Sequence, residues 1–223
     1  MKSEDERIVK RIVSNCIHGM LSLNQVKQHA DYLLNNELPI IYQFEEDTLN
    51  GSRPHNFKYI NNYIDSLKDP SRSVHDLGRR HAYETAASFI TYILHRVFGE
   101  SLRAKSIPNM CVVPVPTAPS QPAYYAEWSE ILQRVEHCTG VRGCMDSYSY
   151  WGVRDPYRHR EADGLPVGFI DTIALANEES EYANVVLVID RMYKGTELLE
   201  MKHSLEENGH TVILGICLSR VIL

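Results

Sequence analysis

No window of the 223-residue chain approaches about 18 consecutive apolar residues, so no transmembrane helix is expected. A secretory leader is missing too. The opening MKSEDERIVKRIVSN is too charged for the apolar core of a signal peptide, and the expected location is the cytoplasm. Cysteine is sparse: Cys16, Cys111, Cys138, Cys144 and Cys217 are scattered, odd in number and without CxxC spacing. That pattern argues against a disulfide framework and predicts reduced thiols. His137 and Cys138 with Cys144 lack a fourth ligand at zinc spacing, so no metal centre is expected there. Positive charge is also short. Lys and Arg number 23 against 29 Asp and Glu, a net charge of −6. Such a balance disfavours nucleic acid as a partner, because phosphates must be neutralised over a long contact. Ser120 has no G-x-S-x-G around it, which removes the serine-hydrolase reading. Internal repeats and low-complexity tracts are lacking as well.

What remains is an ordinary globular composition, 43% hydrophobic and 23% charged. The length fits one good-sized domain or a domain with an extension. Two parts read differently: a helical N-terminal region over residues 1–100 and an α/β region over 101–223. In the first, the acidic SEDE start leads into a stripe of Ile8, Ile12 and Val13, and Leu21 to Leu34 continues the helical period. Residues 40–57 contain NGSRP and predict a loop. A short helix is expected from Lys58 to Leu67. A long one starts at a Ser73 cap, runs through Ile93 and Val97, and ends near Gly99. His81, Tyr83 and His95 on it read as packing or surface residues.

Beyond Lys105 strands and helices alternate. NMCVVPVP is an apolar run closed by prolines, a strand entering a constrained loop. AEWSEILQRVEHCTG is an amphipathic helix that turns Trp128, Ile131, Leu132 and Val135 inward and stops at Gly140. Residues 145–168 keep neither period, and FIDTIAL is a candidate strand. VVLVI is fully apolar, as in a parallel sheet covered on both faces. TELLEMKHSLEENG is a helix with Leu198, Leu199, Met201 and Leu205 on one face and Gly209 at its end. TVILGICL is the next buried strand. Strand–helix–strand with such short connections is a right-handed βαβ unit, so an open α/β sheet is expected. Ligands in such sheets sit at the carboxyl ends of strands. Three segments fall there: PTAPSQP, DRMYKGTE and LSRVIL.

DRMYKGTE places a Gly in a strand-to-helix turn, a layout that suits anions because helix N-terminal amides point outward. The same layout also serves as a plain structural turn. Here the chain resembles the type I phosphoribosyltransferases. VVLVID-x4-G-x2-LL, its helix, ENGH and a final apolar strand carry the likeness, and the ComF-type subgroup, linked to competence and amidophosphoribosyltransferase-like domains, is the most similar. LGRRHAYETAASFITYILHRVFG, VVPVP, AEWSEILQRV and an Arg-bearing middle segment precede these elements in the same order. The resemblance spans residues 77–220. It implies an open, mostly parallel sheet of that family's kind with a helical N-terminal extension.

The resemblance also implies roles. Anchored on Gly195, Asp190 falls on the second of two acids, the one that holds a ribose hydroxyl. Ile189 stands where the first acid would be. Tyr193, Lys194, Gly195 and Thr196, with Arg191 beside them, form the implied cradle for a 5′-phosphate. Glu197 replaces a Thr there, and its carboxylate would repel the phosphate. The first loop, with Pro116, Thr117 and Ser120, corresponds to the pyrophosphate loop but has no basic residue from Thr117 to Trp128. Trp151, Arg154, Tyr157, Arg158 and Arg160 fall in the implied flap, where YRHR could clamp a phosphate and an aromatic ring stack on a base. A solvated basic loop paired with Asp155 and Glu161 is the alternative. The implied ligand is a phosphorylated ribose or a nucleotide. The implied reaction is phosphoribosyl transfer from phosphoribosyl pyrophosphate to a nitrogen nucleophile, with Mg²⁺ as the assisting ion and Asp190 as the catalytic acidic residue. Ile189, Glu197 and the cation-free first loop point instead to a non-catalytic sensor or protein-interaction module on the same fold. A homo-oligomer built on the N-terminal helices is a third reading.

Overall fold

The structure, a computed structural model, describes residues 38–47, 63–64, 66–67, 77–103, 107, 109–115, 122–144, 148–150, 173–175, 184–192 and 195–222. The helices expected over residues 8–34 lie outside them. Five strands form one all-parallel sheet: β1 (Ile40–Asp47), β2 (Met110–Pro114), β3 (Arg142–Gly143), β6 (Asn184–Met192) and β7 (Thr211–Ile222). Their spatial order is β1-β7-β6-β2-β3. β4 (Tyr148–Tyr150) and β5 (Ile173–Leu175) pair antiparallel as a separate two-stranded sheet. Among the described residues, residues 63–64 and 66–67 are helical, in line with the short helix expected there, and three longer helices follow: α1 (Leu77–Arg103), α2 (Pro122–Thr139) and α3 (Thr196–Glu207).

The α/β expectation therefore holds, and the apolar strands explain why. Along β6, Val186 and Val188 join one buried cluster while Val185, Leu187 and Ile189 join another. A strand buried on both faces has no polar side to show, so it reads as a continuous apolar run. α1 and α2 cover the first face with Tyr83, Ile90, Leu94, Trp128, Ile131 and Leu132. α3 covers the second with Leu198, Met201 and Leu205. An ion-pair chain ties α1 to α2: Arg134 lies 3.4 Å from Glu84 and 2.7 Å from Glu130. These half-exposed groups contribute little to stability; the apolar faces supply the energy.

Three local expectations need correction. IIYQFEED is a strand, β1, and not part of a loop; it pairs parallel with β7 from Ile40↔Gly215 to Asp47↔Ile222. Its fit is close, for a Cβ on Gly215 would sit 3.0 Å from Ile40 Cγ1. α1 runs past Gly99 to Arg103, because Gly99 is unstrained there and Leu102 still packs on the core. A mid-helix Gly costs only about 1 kcal/mol relative to Ala. LSRVI, residues 218–222, is the continuation of β7, not a segment beyond it. Stops at Gly140 and Gly209 are as expected, with φ of 71° and 86°.

The thiols Cys111, Cys144 and Cys217 are buried and unbridged, and Cys138 is exposed and unbridged. A hydrogen bond with Cys144, then burial, pushes the Cys111 thiol far above the usual thiol range. A thiol so reluctant to ionise is chemically quiet. Cys138 lies on α2 while Cys144 packs in the cluster under α3, so the sheet separates them.

His210, just after α3, is buried and its backbone N–H donates to the Leu205 carbonyl at 3.0 Å. Burial lowers its side-chain pKa from 6.5. The unfolded chain therefore takes up the proton first as pH falls. Stability is full above pH 6.5 and declines as pH drops below it toward the folded pKa. Urea midpoints at two pH values on either side should fall more steeply in the wild type than in His210→Gln. Equal slopes would show that His210 does not titrate differently on folding.

Candidate functional site

Strand order decides where a crevice can form. The chain leaves β2 through α2 toward β3 on one side, and leaves β6 through α3 toward β7 on the other. α2 and α3, which follow the adjacent strands β2 and β6, lie on opposite faces, and the ends of such a strand pair are where open α/β sheets bind ligands. Val115 N–H donates to the Val188 carbonyl at 2.8 Å and holds the end of β2 against β6. The register Pro114↔Val188 then starts the first loop beside Asp190.

Asp190 is 4% exposed, the first charged residue after five buried apolar ones on β6. Its Oδ1 accepts the Arg191 backbone N–H at 2.5 Å. Arg191 is half-buried and sits opposite Ser219 of β7. Gly195 is buried and left-handed, φ 76° and ψ 8°, at the cap position of α3. A side chain strains in that conformation, so glycine is the natural occupant. Gly195 also has no side-chain oxygen to cap the helix. First-turn amides of a helix point outward, and an anion suits them. Thr196 and Glu197 open the helix.

The structure thus places Asp190 and Arg191 within the last residues of β6, which runs on to Met192, and Gly195, Thr196 and Glu197 at the start of α3. Tyr193 and Lys194 lie outside the described residues, as do Pro116, Thr117 and Ser120 of the first loop. So do Trp151, Arg154, Tyr157, Arg158 and Arg160 of the implied flap. Ile189 is 4% exposed and packs in the cluster beneath α3. The position where the resemblance would put a first acid is thus core.

One further residue belongs to this edge. Arg220, near the end of β7, stands opposite Met192. A single basic residue inside the apolar LGICLSRVIL was the signal available in the sequence. A separate groove of about 700 Å³ runs between α1 and α2, lined by Glu84, Tyr92, Glu130, Arg134 and His137 among others. Among the described residues its lining comes from α1 and α2 alone, apart from the β6 strand end. No family model and no curated protein matches the chain.

Proposed function

We propose that the carboxyl edge of β6 binds a phosphorylated ribose or a nucleotide, as a type I phosphoribosyltransferase-like site. One observation carries the reading. A buried carboxylate, Asp190, and a left-handed Gly195 opening α3 sit on one strand end, beside the end of β2, where the strand order reverses. The Asp190 carboxylate can accept from ribose hydroxyls, and the α3 amides can donate to a phosphate. In the catalytic form of this reading, phosphoribosyl passes from phosphoribosyl pyrophosphate to a nitrogen nucleophile. Donors fixed on the departing pyrophosphate would supply most of the rate.

Asp190 with apolar Ile189 next to it fits Mg²⁺ that arrives on a polyphosphate, and among the described residues no group of three or more His, Cys, Asp or Glu could hold a resident metal. Such an ion would screen the phosphate charge. The chain's own part is to orient the sugar through Asp190.

The burial of Ile189 favours a second reading, a non-catalytic nucleotide sensor or interaction module on the same fold. Where an enzyme of this kind orients its sugar with two acids, this chain has committed one position to packing. Titration calorimetry separates the readings. Phosphoribosyl pyrophosphate with Mg²⁺ should give saturable heat if the site is a transferase site. Binding of nucleoside monophosphates alone would sink the transferase form. Heat from neither, nor from ribose 5-phosphate, would sink the whole proposal.

A further inference from the structure

Arg220 breaks the apolar run of β7 near its carboxyl end. The register sets it opposite Met192 on β6, two residues past Asp190, and opposite Glu45 on β1. It is half-buried, and its guanidinium carbon lies 5.8 Å from the centre of the Tyr42 ring. Among the described residues its Nη1 is buried and has no hydrogen-bond partner. A charged donor withdrawn from water without an acceptor is unfavourable, and folded proteins rarely leave one unless something else completes it. The Tyr42 contact engages the guanidinium through the ring and fixes where it sits; it does not satisfy the N–H groups. An oxyanion would. The planar fork matches phosphate with two parallel hydrogen bonds, and partial burial strengthens each.

The strands are parallel, so the carboxyl end of β7 lies at the same sheet edge as Asp190 and the turn into α3. The segment from Thr117 to Trp128 supplies no cation to that edge. We infer that Arg220 is a phosphate-holding residue of this edge, contributed by the last strand. The inference rests on the ribose-phosphate reading for its ligand, and on the buried, unpartnered Nη1 for its residue.

Calorimetry on the full chain tests it, with ribose 5-phosphate and inorganic phosphate as probes and Arg220→Gln and Arg220→Lys as variants. One charge-assisted pair is lost in Arg220→Gln, so its affinity for ribose 5-phosphate should fall about tenfold or more. Arg220→Lys should lose several-fold, since a point charge lacks the fork, and it carries the test should Arg220→Gln fail to fold. Ligand-free Arg220→Gln should melt at or above the wild type, because an unsatisfied buried charge has gone. A purely structural arginine would lower it. Unaltered ribose 5-phosphate binding in both variants overturns the inference and leaves the ribose-phosphate reading standing. Arg220-dependent binding of inorganic phosphate without any binding of ribose 5-phosphate keeps Arg220 as the phosphate holder and removes the sugar. A wild type that binds neither probe overturns both.

Discussion

Trp128→Ala is expected to destabilise the chain by about 3–5 kcal/mol, the range for removing a large buried aromatic. Trp128 is 2% exposed, and heads the largest fully buried side chains. It stands on α2 with Ile131, Leu132 and Val135, one to two turns apart, in the cluster shared with Val112, Val186 and Val188 of the sheet and with α1. Around it the packing cannot collapse freely. Gly143 on β3 already lies so close to α2 that a Cβ there would meet Leu132 Cβ at 2.6 Å. A helix held that tightly leaves a void when its Trp is cut back. A chain of this size has about 5–15 kcal/mol of stability in total, so a large fraction would be lost. Melting should drop by about 2–4 °C for each kcal/mol. Gln133→Ala, on the exposed side of the same helix, should stay within about 0.5 kcal/mol of wild type. Denaturant midpoints for the pair provide the check, and a Trp128→Ala loss below about 1 kcal/mol would show that α2 does not pack on the sheet through this residue.

How much of this was legible follows from where each segment sits. VVLVI, TVILGICL and the VVP of NMCVVPVP were readable because strands buried on both faces admit only apolar residues. The α2 stripe was readable because its other face meets water and must be polar. β1 was not, for it lies at the sheet edge and mixes Tyr42, Gln43 and Phe44 with three acids, ahead of NGSRP. Only pairing with β7 makes it a strand, and β7 is 175 residues away by the register Ile41↔Ile216. The end of α1 was misjudged because Gly99 carries a local stop signal, and tertiary packing of Leu102 overrides it. At the end of β6, the sequence placed Gly195 correctly at the helix start, but the strand runs on through Asp190, Arg191 and Met192, because pairing with β7 continues to Arg220 where the sequence suggested a turn from Asp190. Arg220 was missed as a participant because strand register, not sequence spacing, brings it there.

Asp190 gives the second large effect. Asp190→Ala should weaken ribose 5-phosphate binding by about tenfold to a hundredfold, the worth of charge-assisted hydrogen bonds to sugar hydroxyls. Its effect on folding should be small by comparison, because two terms oppose each other. The variant loses the acceptor for the Arg191 N–H, at 2.5 Å, which destabilises. It also removes a carboxylate that is 4% exposed, and so the desolvation of that charge. Asp190→Asn separates shape from charge. It keeps an oxygen for the Arg191 N–H, so it should fold as wild type and still bind ribose 5-phosphate poorly. Calorimetry with ribose 5-phosphate and melting without it, on both variants, decide the matter. If both variants melt far below wild type yet bind the sugar phosphate unchanged, Asp190 is a structural residue of the β6 end. The site would then lack the ribose-holding acid that the proposal needs, since the neighbouring position, Ile189, is core.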